Sequence, residues 1–310
     1  MDQQVLSAER FEQFRPRLRA VAYRMLGSLS EADDAVQESW LRASRSDARE
    51  VENLGGWLTT VVARVSLNML RSRDRRREEP LDLRVPDPIV GPAEGGDPEH
   101  EALLADSVGL ALMVVLDTLA PAERLAFVLH DMFSVPFDVI APMIERSPTA
   151  ARQLASRARR RVRDKAPAPD ADVSRQREVV DAYLTAARHG DFEALVGVLH
   201  PDIVLRSDGG EARARYTAVL RGAQEVAGQA VRAARSLAPF ARPVLVNGAA
   251  GVVTVAGGRV LSVMAFTVVD GKVVAIDVLA DPERLAGLEP PLLDNDRRTI
   301  DPGSPGRIFS

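Results

Sequence analysis

Apolar positions Leu18, Val21, Ala22, Met25 and Leu26 recur at the three- and four-residue spacing of a helix with one buried face, and the stripe stops at Gly27. A second helix is expected from Ser30, an N-cap with Asp33 three residues on, because Ala32, Ala35, Val36, Ser39 and Trp40 repeat the spacing. Leu54, Leu58, Val61, Val62, Val65 and Met69 draw a third stripe that runs into Arg71, Arg73, Arg75, Arg76 and Arg77. These stripes predict a helical bundle with a basic end. From Glu78 to Glu99 the periodicity stops and Pro80, Pro86, Pro88, Pro92 and Pro98 appear, as in an extended linker. Helical spacing returns from Leu103 to Leu119, in Leu125, Val128, Leu129 and Met132, and in Phe137, Ile140, Ala141 and Ile144. Ser147-Pro148 then makes a capped start, with proline where its missing N–H costs nothing, for a last helix from Thr149 to about Arg163.

After Pro167-Ala168-Pro169 the texture changes. Two amphipathic stretches (Val179, Val180, Tyr183, Leu184, Ala187, then Phe192, Leu195, Val196, Leu199) precede valine-rich runs at 244–246, 252–255, 260–269 and 273–279. Asn247-Gly248, Gly257-Gly258 and Asp270-Gly271 separate those runs and are hairpin turns by composition. Helices followed by an antiparallel sheet predict an α+β domain. The expected organisation is therefore multidomain: an all-α module over 1–78, a linker over 79–101, a second all-α module over 102–166, a short linker over 167–175, an α+β domain over 176–290 and a disordered tail over 291–310.

Composition narrows the function. The 310 residues contain no cysteine, which excludes disulfide frameworks, thiolate metal sites and cysteine nucleophiles. No run suits a signal peptide or a membrane span, so a cytoplasmic protein without membrane contact is expected. Net charge is −4, and any nucleic-acid binding must therefore rest on local charge. No metal or organic cofactor is expected.

Local charge is concentrated in two places. The segment from Phe137 to Ile144, the turn at Glu145-Arg146 and the capped helix from Pro148 fit a helix-turn-helix, whose second helix enters the major groove. With Leu154, Ala158 and Val162 turned to the core, Arg152, Gln153, Ser156, Arg157, Arg159, Arg160 and Arg163 fall largely on other faces, where arginine can pair guanine, glutamine can pair adenine and spare cations suit phosphates. In the first module Asp33, Asp34, Gln37 and Glu38 form an acidic helix face, poor for DNA but suited to a basic protein partner. Asn53 and Trp57 stand ahead of the arginine cluster, and an aromatic ring beside cations can stack unpaired bases.

The order of these parts resembles a known family. Asp33 to Trp40, Trp57 to Arg64 and the cluster Arg71 to Arg77 are similar to region two of extracytoplasmic-function sigma factors, and Leu119 to Arg124 with Ser147 to Arg159 are similar to their region four. The resemblance implies that core RNA polymerase and promoter DNA are the partners. It assigns Asp33, Asp34, Gln37 and Glu38 to the polymerase clamp, Asn53, Trp57, Arg64, Asn68 and Arg71 to the minus-ten element, and Arg152, Gln153, Ser156, Arg157 and Arg160 to the minus-thirty-five element.

The C-terminal third resembles SnoaL-like domains, α+β cones with a curved antiparallel sheet, which a subgroup of these sigma factors carries. Three short motifs of that subgroup have counterparts here: a linker motif at Pro86, Asp87 and Pro88, a second at Asp208, Gly209 and Gly210, and a third at Asp281, Pro282, Glu283, Arg284 and Leu285. The linker motif lacks its tryptophan, replaced by Arg84, and Glu211 replaces a third glycine. The resemblance implies that these residues link the cone to the sigma modules and regulate them, with the cone pocket a candidate site for a small molecule.

Two other functions fit parts of the sequence. A ligand-sensing helix-turn-helix regulator would use the second and third domains but leave the first module idle. A SnoaL-like cyclase or hydrolase would need Asp202, Asp208, His189, His200 or Tyr216 placed for acid–base work, and the sequence shows no such placement.

Overall fold

The computed structural model describes residues 7–46, 51–76, 84–91, 109–166 and 169–288. These fall into two compact units. The tail expected over 291–310 and most of the linker lie outside the described residues.

The first unit is helical. Helices α1 (Ala8–Glu12), α2 (Arg15–Leu26), α3 (Leu29–Ala43) and α4 (Leu54–Arg76) form one bundle around Leu18, Val21, Met25, Leu26, Val36, Leu58, Val62 and Leu67. The start of α3 corrects the sequence expectation: its cap is Ser28, whose hydroxyl accepts from the Glu31 N–H, rather than Ser30. Gly27 sits at φ 70°, a left-handed position that ends α2 at once and puts Ser28 in the extended cap conformation.

The same unit takes in α5 (Leu110–Asp117, from Leu112 onward), α6 (Pro121–Phe127) with a widened turn at Val128–Met132, α7 (Phe137–Ile140) and α8 (Pro148–Lys165). The buried stripe of α8 is Ala151, Ala155 and Ala158, while Leu154 and Val162 stay half-buried, so of the expected core residues Ala158 alone is fully buried and the face is turned slightly toward Ala155. Small side chains let the α8 backbone lie close against α6, and Leu154 fills the margin instead.

The second unit is the α+β cone. Helices α9 (Val173–His189), α10 (Phe192–Val198) and α11 (Ala223–Leu237) pack on a sheet of β1 (Val90–Gly91), β2 (Leu199–Asp208), β3 (Ala218–Arg221), β4 (Ala241–Val246), β5 (Ala249–Ala256), β6 (Arg259–Val269) and β7 (Lys272–Leu279), closed by the one-turn α12 (Pro282–Leu285). Among the described residues the strand order is β1-β4-β5-β6-β7-β2-β3, antiparallel throughout except for β2 against β7. The three expected hairpins are two-residue turns with positive φ at both residues: 49° and 77° at Asn247-Gly248, 58° and 71° at Gly257-Gly258, 51° and 71° at Asp270-Gly271. That geometry matches the twist of the flanking strands. The interior is filled by apolar side chains, among them Tyr183, Leu195, Ile203, Val226, Val252, Phe266 and Ile276, with Tyr183 edge-on to Phe266 at 5.2 Å.

Candidate nucleic-acid interface and linker clasp

On α3, Asp33, Asp34 and Gln37 are exposed and Glu38 half-buried, while Val36 and Ser39 are buried and Trp40 packs against the Phe11 ring at 5.1 Å. The acidic face is partly neutralised by its own bundle: Asp33 accepts from Arg19 at 2.7 and 3.3 Å, and Glu38 pairs with Arg42 at 2.8 Å. Asp34 and Gln37 carry no such tie among the described contacts.

Asn53 caps α4, its side chain accepting from Gly56 N–H at 2.9 Å and its carbonyl from Trp57 N–H at 3.0 Å. From that fixed start Trp57, Arg64, Asn68 and Arg71 fall at i, i+7, i+11 and i+14, one stripe of the helix. Arg64 and Asn68 are exposed, and Trp57 and Arg71 half-buried, so the stripe combines an accessible ring with cations and an amide. Arg73 departs from the cluster: it donates to the Leu26 carbonyl at 3.1 Å and pairs with Glu31, a contact that closes the bundle.

In the helix-turn-helix, Glu145 takes φ 56° in the turn and Ser147 Oγ caps α8 by accepting from Ala150 N–H at 3.2 Å. Arg152, Gln153, Arg157 and Arg160 are exposed and Ser156 half-buried. The cations differ in how they are held. The Arg152 guanidinium lies 5.3 Å from the Phe137 ring centroid, and that ring stacks on His130 at 3.8 Å. Arg159 is gripped by one oxygen of Asp131 at 2.6 and 2.8 Å. Arg157 and Arg161 share the buried Glu123 at 3.0 Å each. Sequence reasoning missed both acids. Glu123 lies in the first turn of α6, where an acid is also expected merely to complement the helix dipole, and Asp131 in the turn that follows carries no comparable signal.

The three expected interdomain motifs meet inside the second unit. Arg284 donates to Asp87 at 2.6 Å, to Asp208 at 2.8 Å and to the Val85 carbonyl, while Val85 N–H donates to Asp208 at 3.0 Å. Pro86 and Pro88 are buried with Asp87. The chain then joins the sheet: Ile89 N–H donates to the Asn247 side chain at 2.9 Å, Asn247 N–H to the Ile89 carbonyl at 2.8 Å, and β1 pairs with β4 at Val90↔Val246. Asp281 caps α12, accepting from Glu283 N–H at 2.9 Å, and Pro282 takes the first helical position. Glu283 is exposed, and Leu285 is buried beneath. The glycines are sterically required: a Cβ on Gly210 would overlap the Asp281 carboxyl, and one on Gly209 the Arg213 carbonyl.

The residues that an acid–base enzyme would need are scattered. His189 and Asp202 are exposed, the His200 ring accepts from Asp202 N–H at 3.1 Å, Asp208 belongs to the clasp, and Tyr216 lies beside Arg215.

Comparison with known proteins decides among the readings. The Sigma-70 region 2 family matches residues 10–76 and Sigma-70 region 4 matches residues 109–162. An ECF RNA polymerase sigma factor of Mycobacterium tuberculosis, SigJ, is 37% identical over 91% of this chain and 94% of its own length. A second from that organism, SigI, described as probable, is 33% identical over 86% of this chain and 90% of its own. The crystal structure of SigJ superposes with a TM-score of 0.71, covering 91% of this chain and 99% of that one at 36% identity. This chain belongs to the extracytoplasmic-function sigma factors. As such a factor it binds RNA polymerase and directs promoter-specific transcription initiation, and the stand-alone regulator and enzyme readings are not favoured.

Proposed function

We propose that the C-terminal cone of this sigma factor controls initiation in cis by holding the linker between its two promoter-reading modules. The carrying observation is Arg284, which binds Asp87 and the Val85 carbonyl of the linker and Asp208 of β2 at once. The minus-ten and minus-thirty-five elements lie roughly 25 base pairs apart, about 85 Å of duplex at ~3.4 Å per base pair. In the first unit, by contrast, Arg124 of α6 donates to the Arg24 carbonyl of α2 at 3.0 Å, so the two modules touch. They must part to read both elements. Free and extended, the chain from Arg76 to Leu110 could reach on the order of 110 Å. Pinned at Val85 and again at Ile89 to Gly91, that tether is divided and the cone sets what remains.

Within this reading Asp33, Asp34, Gln37 and Glu38 face the polymerase clamp, Asn53, Trp57, Arg64, Asn68 and Arg71 the minus-ten element, and Arg152, Gln153, Ser156, Arg157 and Arg160 the minus-thirty-five element. Support comes from their common faces and exposure. A cytoplasmic location fits action on RNA polymerase. The test is initiation with purified bacterial core polymerase on a pool of promoter fragments, comparing the full chain with one ended after Pro169. Promoter-specific transcripts whose yield differs between the two forms are expected. Equal yields would remove the cone from control.

A further inference from the structure

We propose that Glu123 is a positioning residue for minus-thirty-five recognition, presenting Arg157 and Arg161 of α8 to the promoter in a fixed orientation. The inference rests on α8 being the promoter-reading helix. Glu123 stands on α6, outside the helix-turn-helix itself, and is 7% exposed. Its two oxygens are divided: Oε1 accepts from Arg157 Nε and Oε2 from Arg161 Nη1, each at 3.0 Å. Arg157 and Arg161 are one turn apart on the same face, and their side chains are 51% and 49% exposed. Each guanidinium is thus tied at one edge and open at the other, and Arg157, held through Nε, keeps both terminal nitrogens for a base or phosphate.

The contrast with Asp131 shows what this geometry does. Asp131 spends one oxygen on both Nε and Nη2 of Arg159, one acid closing on one cation. Glu123 serves two cations, so the patch it organises keeps a net positive charge, which DNA phosphates require. Arg160 and Gln153 carry no comparable tie among the described contacts. Holding a long side chain before binding spares its immobilisation on DNA, which otherwise weakens affinity by roughly two- to tenfold per side chain. Glu123→Gln keeps the volume and loses the charge, and with two arginines released its holoenzyme should bind a promoter fragment about tenfold more weakly.

The experiment is a double-mutant cycle in the full chain bound to core polymerase, read as equilibrium binding to a promoter fragment that the wild-type holoenzyme transcribes. Glu123→Gln, Arg157→Ala and the pair are compared at several salt concentrations. If Glu123 acts through the two arginines, the double variant loses less than the sum of the two single losses, the remainder over Arg157→Ala being the share of Arg161, and Glu123→Gln leaves core-polymerase binding unchanged. Additive losses would overturn the proposal, and so would tighter binding by Glu123→Gln, since the acid would then be withholding the arginines. Should Glu123→Gln unfold the helix-turn-helix, the cycle is run on the half-exposed pair Arg157→Ala and Arg161→Gln. Cations that share one anchor give non-additive losses, and additive losses again overturn the proposal. A wild-type holoenzyme that initiates while the cycle is additive rejects the role of Glu123 and leaves the sigma reading standing.

Discussion

Among the described residues Asp277 is the least solvated acid in the sheet, 1% exposed, with Arg206 at 3.0 Å on one oxygen and no partner on the other. Burial pushes its carboxyl up, and the Arg206 cation only partly opposes that. The folded protein therefore keeps the proton to a higher pH than the unfolded chain does. The stability this supplies is complete below the ordinary carboxylate range and is lost as pH rises through the raised value. Asp277→Asn, neutral at every pH, should raise the thermal midpoint at pH 7, with the gain shrinking as the pH is lowered. A lower midpoint at pH 7 would mean that the ion pair outweighs desolvation. Asp277 is the one charged residue in the otherwise apolar run Val273 to Leu279, but its burial against Arg206 is not written there, because that pairing comes from a parallel register with β2. Gln153 was legible as a candidate from helical spacing, and Arg64 and Asn68 from the family resemblance. The tie of Glu123 to two arginines and the contacts of Arg284 with Asp87 and Asp208 needed the fold, although Arg284 itself was singled out by its motif.

At the scale of elements, legibility followed the strength of the local signal. The three Gly-containing turns are local rules, and the strands beside them were readable within a few residues. Strands β2 and β3 and helix α11 were not anticipated. β2 opens with His200-Pro201-Asp202, a turn-like start, and it pairs in parallel with a strand about 70 residues away. Helix α11 buries Ala223, Val226, Ala227 and Ala230, a stripe too small in side-chain volume to stand out by hydrophobicity. The two-residue β1 was hidden because a proline-rich stretch has no period, and its pairing is with the β4 edge and the turn after it. Asn247 carries that attachment by accepting from and donating to Ile89, and it also holds φ 49°, where asparagine is tolerated better than most residues. Asn247→Ala should therefore destabilise the cone by about 1–2 kcal/mol in chemical denaturation, from strain at positive φ and a lost buried hydrogen bond. It should also speed amide exchange at Ile89 and Val90. Loss of stability without faster exchange there would show that the linker strand is held by other contacts.

For the whole molecule, the proposed cis control makes Arg284 a linkage between the stability of one unit and the output of the other. Its side chain is 18% exposed and faces two carboxylates, so Arg284→Met would leave Asp87 and Asp208 together without their cation. Breaking such a pair costs about 3–5 kcal/mol when fully buried, and the residual exposure here argues for roughly 2–3. If the clasped linker is the state in which the modules cannot separate, that same energy biases the equilibrium toward closure. Two kcal/mol corresponds to about a thirtyfold shift. Arg284→Met should then raise promoter-specific initiation severalfold in the full chain, and linker proteolysis near Val85 should become faster to match. A chain ended after Pro169 has no Arg284 and should already show the released behaviour. Faster proteolysis with unchanged initiation would mean that the clasp shapes the linker without limiting how far the modules part, and the restraint would then have to lie in the contact between Arg124 and Arg24. The two possibilities separate cleanly, because Arg124 belongs to the helical unit and its contact survives the loss of the cone.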